Sequence, residues 1–312
     1  MTETGAPTAD PGSLSDADWF ARLSQIGEAS GHFRWLGRDH AAFYLDGSAT
    51  LLVTFETLHS IRETQPGQLP LGYHVAKGRK WSHLCIVAKS DTWYRDPSVY
   101  AYFDRLVDTG AFDDYDQIVF YGAGMAGYAA AGFSVAAPGS TVVVLQPQAT
   151  LDPRIAGWDP RWPEMRRTSF TDRYGYAPDM LDGAAQGYVI FDPEQNLDFM
   201  HAALFAGRHV QLLPCRNLGR DIAGALGQMR VLPSILAAAC TNSFDDHLFR
   251  IFYRARRNYR PYLRTLLKRL EEDGRLHLAA MLCRNVISRI DAPAFKTRLN
   301  EIESIAKMTR HR

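Results

Sequence analysis

The sequence predicts an α/β fold, with antiparallel strands at the N-terminal start of a mostly parallel sheet and a helical extension at the C-terminus. Three observations predict it. Short apolar runs separated by turn residues follow one another early in the chain. Runs of strand length then alternate with helical patterns, and beyond about Pro233 only helical spacing remains. Strands alternating with helices imply parallel pairing through right-handed crossovers.

Residues 1–15 are polar and rich in Pro, Gly and Thr, without the basic-then-apolar layout of a secretory signal, and are expected to form a disordered tail. Ser15-Asp16 can cap a helix over Ala17–Ser30. His32–Leu36, Ala41–Leu45 and Thr50–Phe55 read as strands, and the Asp46-Gly47 step between the last two predicts a hairpin. His83–Ala88, Gln117–Tyr121, Thr141–Leu145, Tyr188–Phe191 and Val210–Leu213 supply further strands. Val99–Val107, Met125–Ala136 and Leu197–Phe205 supply helices. Pro153–Asp182 is too long for a simple connection and carries Trp158, Trp162, Arg154, Arg161, Arg166, Arg167 and Arg173. It reads either as a lid over a site or as a packed surface excursion. The expected organisation is thus an α/β domain over 16–232, with a lid-like insertion at 153–182, and a helical extension over 233–312.

In that extension Leu248, Phe252, Ala255, Tyr259, Leu263, Leu266 and Leu270 recur at helical spacing, with Arg250, Arg254, Arg257, Arg264 and Lys268 on the opposite side. Pro261 predicts a kink or a helix restart. Two more helices are expected after Glu271-Glu272-Asp273-Gly274.

Lys and Arg number 35 against 34 Asp and Glu over 312 residues, so the whole molecule has no electrostatic preference for nucleic acid or anionic membranes. The balance is uneven: Thr241–Arg312 holds 16 basic and 8 acidic residues. A solvated helix face explains this stripe; an interaction surface is the alternative. Nothing apolar reaches the roughly 20 residues of a membrane span. Cys85, Cys215, Cys240 and Cys283 are far apart and form no CxxC pair. They read as free thiols of a cytoplasmic protein. His59, His74, His83 and His201 have no metal-ligand spacing, and no cofactor is implied. Trp93-Tyr94-Arg95-Asp96-Pro97 can line a pocket or simply pack.

The chemistry-bearing stretch is Gln117–Ala130: an apolar strand, the turn Gly122-Ala123-Gly124-Met125-Ala126, and a helix start. It resembles the nucleophile elbow, G-x-S-x-G, of the α/β-hydrolase family. The resemblance implies that Gly124 stands at the serine position, where no hydroxyl, thiol or carboxylate is available for covalent attack. It places Asp192 at the acid position, although Asp192 can also be read as the cap of the next helix. It puts Asn217 nearest to the place of the histidine, and an amide cannot take up a proton near neutral pH. What the resemblance leaves is an oxyanion site, made by the Met125 N–H and a second donor near Glu56-Thr57. The expected pocket is lined by Phe55, Glu56, Thr57, Gly122, Gly124, Met125 and Asp192, with Arg166 and Arg167 from the lid. The lid arginines lean it towards an anionic or sugar-like ligand.

Gly122-x-Gly124-x-x-Gly127 also matches a dinucleotide-binding pattern, but the acidic residue that pattern needs about 20 residues on is missing. The turn and Tyr253-Arg254-Ala255-Arg256-Arg257 also resemble chains that carry the label phosphoadenosine phosphosulfate reductase. That class implies an early SGGxD-type phosphate loop and a reactive C-terminal cysteine, and the sequence has neither. The expectation is a catalytically degenerate hydrolase-like protein that binds a small molecule or a protein partner. The alternatives are a transferase or lyase using the oxyanion site and Asp192, and an interaction module acting through the basic helices.

Overall fold

Strands that are apolar along their whole length demand cover on both faces, and the central strands here have it. A computed structural model describes residues 14–310, without the side chains of Arg166 and of 305–310. The expected tail lies outside the described residues up to position 13. Eight strands form one sheet: β1 (Gly31–Leu36), β2 (His40–Leu45), β3 (Ser48–Thr57), β4 (Trp81–Ala88), β5 (Gln117–Ala123), β6 (Thr141–Leu145), β7 (Gln186–Phe191) and β8 (Val210–Pro214). Their order is β1-β2-β4-β3-β5-β6-β7-β8. The β1–β2 and β2–β4 pairs are antiparallel and every other pair is parallel. This is an α/β-hydrolase-type sheet.

The Asp46-Gly47 step is not a hairpin. β2 pairs with β4, and β3 lies one place further in, between β4 and β5. The glycine serves a close approach instead: a Cβ on Gly47 would stand 2.6 Å from the Lys80 carbonyl oxygen and from the Trp81 carbonyl carbon. The unbroken burial of β3 from Leu51 to Glu56 suits a central strand, which a hairpin at an edge would not need.

The helices follow as α1 (Asp16–Ser30), α2 (Leu58–Thr64), α3 (Leu71–Lys77), α4 (Pro97–Asp108), α5 (Met125–Phe133), α6 (Pro153–Ala156), α7 (Ala177–Met180), α8 (Asn196–Leu204), α9 (Ile222–Gln228), α10 (Leu232–Cys240), α11 (Asp246–Phe252), α12 (Arg260–Glu272), α13 (Leu276–Ile287) and α14 (Pro293–Arg310). Ser15 caps α1 by accepting the Asp18 N–H at 3.1 Å. On one sheet face Phe55, Phe120 and Val144 pack with Phe103 of α4, Ala129 of α5 and Phe205 beyond α8. On the other, Leu52, Val119 and Val143 meet Val75 of α3, Ile222 of α9 and Ile235 of α10. Trp19 and Leu23 of α1 cover Phe43 and Val87 at the antiparallel end.

The helical pattern read over 248–270 is broken. A 3₁₀ segment runs from Tyr253 to Asn258, and α12 restarts with Pro261 in its first turn, where its missing N–H costs nothing. Helices α12 to α14 share small apolar clusters of their own around Leu263, Cys283 and Phe295. Among the described residues, no single helix is long and apolar enough to cross a membrane.

Candidate functional site

β5 and α5 are joined by one residue, Gly124, at φ 57° and ψ −125°. L side chains rarely adopt that backbone, whereas glycine takes it freely. The turn is pinned on both sides. The Gly124 N–H donates to Leu145 O at 2.8 Å, and the Tyr128 N–H donates to Gly124 O at 3.0 Å. Gly122 and Gly124 serve different ends. A Cβ on Gly122 would lie 2.0 Å from Ala126 O, so strand and helix could not come this close with any other residue. A Cβ on Gly124 would meet nothing within 4 Å. Position 124 is therefore sharply bent, without a side chain, and faces open space where a Cβ would point.

Asp192 follows β7 and is fully buried. Its Oδ2 accepts the Gly219 N–H at 2.7 Å and its Oδ1 accepts the Glu194 N–H at 3.0 Å. It does not cap α8, whose N-cap is Gln195. It fastens the loop after β8, the loop in which a histidine would be sought. Asn217 in that loop sits at φ 66° and accepts from Arg269 of α12 through its Oδ1 at 3.3 Å. Asp192 is thus tied to the loop that holds Asn217, through the Gly219 backbone and not through the Asn217 side chain.

The other predicted residues are distributed less tightly. Phe55 lies in the core, stacked on Phe103 and Phe133. The Thr57 N–H donates to Ser60 Oγ at 3.2 Å in a capping box that starts α2, so it is spent. Glu56 is buried and caps α3, accepting the N–H groups of Leu71 at 2.8 Å and Gly72 at 3.2 Å. Met125 heads α5, where first-turn N–H groups have no partner within the helix, and its Sδ accepts the Trp93 N–H at 3.1 Å. Trp93 and Tyr94, both fully buried at positive φ, pack rather than line a pocket.

The 153–182 segment closes over this region. Trp162 and Phe170 pack edge-on against Trp93, and the Tyr128 hydroxyl of α5 donates to Tyr174 O at 2.7 Å. Three of its arginines are matched by carboxylates. Arg154 pairs with Asp152 at 2.6 Å, Arg161 pairs with Asp159 at 2.7 Å and Asp198 at 2.5 Å, and Arg173 pairs with Asp104. Arg167 is exposed, and the side chain of Arg166 lies outside the described residues. His201 completes the anchor. Its Nδ1 accepts the Ala149 N–H at 3.2 Å and its Nε2 faces Asp159 at 3.0 Å. That arrangement is a neutral imidazole donating to a carboxylate, and burial pushes its pKa down. With both ring nitrogens occupied, His201 is not poised as a base. The sequence could not show this network, because its partners are 37 and 42 residues apart.

Beside the lid, Arg161, Glu194, Gln195, Asn196, Asp198 and Arg220 line a cavity of about 270 Å³. It opens at β7, two strands and about 10 Å from the elbow strand. Gln146 ties the two places together. It follows the residue that holds Gly124, donates to Asp198 at 2.9 Å and accepts the Ile222 N–H at 2.9 Å.

Glu56, His83 and Cys85 form a buried triplet with candidate metal-binding atoms within 4.8 Å of one another. Its chemistry suits hydrogen bonding better. The Thr54 hydroxyl donates to Glu56 at 2.9 Å and therefore accepts from His83 Nε2 at 2.9 Å. Burial lowers His83 to about 3 and raises both Glu56 and the Cys85 thiol. A metal would need the thiolate and carboxylate.

No family model matches the chain, and no curated protein does. Among solved structures it is similar to a hormone-sensitive lipase from a metagenome library, at 16% identity over 74% of this chain and 93% of that one, with a TM-score of 0.45. An esterase of Pyrobaculum calidifontis gives 15%, 75% and 94%, with a TM-score of 0.44. MPT51 of Mycobacterium tuberculosis gives 13%, 66% and 95%, with a TM-score of 0.41. It is the strand order of the sheet, rather than these scores, that makes the fold α/β-hydrolase-like.

Proposed function

We propose that this protein uses an α/β-hydrolase-type sheet to bind a small polar ligand at its carboxyl edge and does not perform serine-hydrolase chemistry. One observation carries the proposal: the elbow holds its bend at Gly124 with open space in front and no atom able to attack. Two facts support it. The carboxylate of Asp192 is occupied by two backbone N–H groups, and Asn217 supplies an amide where a base would be needed. Of the two ligand classes expected, the sugar-like one is favoured. The described lid arginines except Arg167 have carboxylate partners, and the cavity beside α8 balances Arg161 and Arg220 against Glu194 and Asp198. A neutral polyol can use such mixed donors and acceptors, whereas an anion would face two carboxylates.

The test is covalent labelling. A fluorophosphonate probe should leave the wild type unmodified and should label Gly124→Ser combined with Asn217→His, since histidine tolerates a left-handed backbone. Labelling of the wild type would overturn the proposal. In a thermal-shift panel, neutral sugars should raise the melting temperature and small carboxylates should not; the reverse pattern would restore the anionic reading.

A further inference from the structure

The arginine charge that carboxylates neutralise at the lid is left free elsewhere. Between the loop after β8 and the turn joining α11 to α12 lies a cavity of about 560 Å³, lined by Arg216, Arg250, Arg254, Arg256 and Arg257. Asp246, the acidic residue of its wall, is taken by Arg250 at 2.8 Å, and Arg216 pairs with Glu194 at 2.9 Å. Arg254, Arg256 and Arg257 form no ion pair among the described residues.

The turn and the cavity bring these three charges to one place. Residues 253–258 form a 3₁₀ helix, not the α-helix that the apolar spacing predicted. At three residues per turn, positions i and i+3 eclipse, which puts Arg254 and Arg257 on one side of the turn and Arg256 on the side of Tyr253. The Arg256 guanidinium accordingly lies 4.2 Å from the centre of the Tyr253 ring and donates to Tyr253 O at 2.8 Å. The Tyr253 hydroxyl in turn donates to Arg216 O at 3.2 Å, tying the turn to the β8 loop. Gathering like charges around one cavity is unfavourable in the empty protein, and an anion with several charges relieves it. Guanidinium forks suit phosphate oxygens in pairs.

We propose that this cleft is a second binding site that takes a small molecule carrying two or more phosphate groups. Three guanidinium groups with no ion pair among the described residues, in one concavity, exceed what a single phosphate needs. A concave site framed by a strand-end loop and a tight turn also suits a compact anion better than an extended acidic peptide.

The experiment titrates the full chain with sodium pyrophosphate at low salt by calorimetry and thermal shift. Pyrophosphate should bind at least about tenfold more tightly than orthophosphate. Arg254→Ala with Arg257→Ala should weaken it by a further tenfold or more while circular dichroism and the melting temperature stay near wild type. Arg264→Ala with Lys268→Ala, which removes the same charge from α12 outside the cleft, should change it less than about twofold. Vesicles bearing a bisphosphorylated inositol headgroup distinguish the source. Co-sedimentation lost in the cleft variant supports a lipid headgroup, and free pyrophosphate binding without co-sedimentation supports a soluble compound. The proposal fails if pyrophosphate does not bind, if the two double variants lose affinity alike, or if polyglutamate displaces pyrophosphate at equal charge.

Discussion

The lid and the turn before α12 are both rich in arginine, and in the sequence they look alike. In space they are opposites. Arg154, Arg161 and Arg173 are each met by a carboxylate, and Arg161 by two. Arg254, Arg256 and Arg257 have none among the described residues. Arg161 is cement: joined to two buried carboxylates, it fixes a long insertion over a sheet edge, while Arg154 and Arg173 pair at the surface. The second group has charge left over for something else. Counting arginines therefore predicts neither binding nor stability, because what matters is whether an acidic partner is already bound to them.

The contrast can be broken most forcefully at Arg161. Replacing it with Met removes the counter-charge of the buried carboxylates of Asp159 and Asp198, which keep His201 and Gln146, and should cost about 3–5 kcal/mol in a urea titration; a loss below about 1 kcal/mol would mean that the lid is not held this way.

The next effect is on acid stability. Burial lowers both His201 and His83, the latter to about 3. Their folded values lie below the unfolded value of about 6.5. The unfolded chain thus binds more protons below that pH. The stability they contribute is complete above pH 6.5 and is lost as pH falls towards the folded values, by up to about 1.4 kcal/mol per pH unit for each histidine. Glu56 acts in the opposite sense, since its raised pKa favours folding at low pH. The clean reading is therefore a difference: the urea midpoint should fall less between pH 7 and pH 5 in His83→Gln than in the wild type. Equal slopes would show that His83 is not held neutral.

A smaller loss, about 1–2 kcal/mol, is expected for Asp192→Asn, which exchanges one charged acceptor of backbone N–H groups for a neutral amide. At the far end, Arg257→Met should stay within about 0.5 kcal/mol of wild type, as for an exposed residue without partners. A cost above 1 kcal/mol would place it among the cementing arginines.

Much of the sheet was legible because strand length and apolar pattern are local properties. Thr141–Leu145 and the strand–turn–helix around Gly124 could be read directly. Strand order could not, and Asp46-Gly47 shows why: a glycine needed to clear Lys80 and Trp81 looks the same as a glycine needed for a tight turn. At the site, the order of elements pointed to Asp192, but its partners Gly219 and Glu194 contribute backbone N–H groups, which every sequence has. The pairing of lid arginines was hidden for a similar reason, since Asp198 and His201 come from a helix beyond the next strand. The 3₁₀ turn at 253–258 escaped because helical periods of 3.0 and 3.6 diverge little over so few residues.

The bend at residue 124 has a consequence for any attempt to give this scaffold a new reaction. An ordinary side chain there would be strained by roughly 1–3 kcal/mol, and in an acyl-transfer enzyme that expense is repaid by turnover. Under the proposed function nothing repays it, and glycine is the residue that holds this bend without strain. A designer wishing to install a nucleophile should first add reserve stability elsewhere, because the open space in front of Gly124 grants room without granting tolerance.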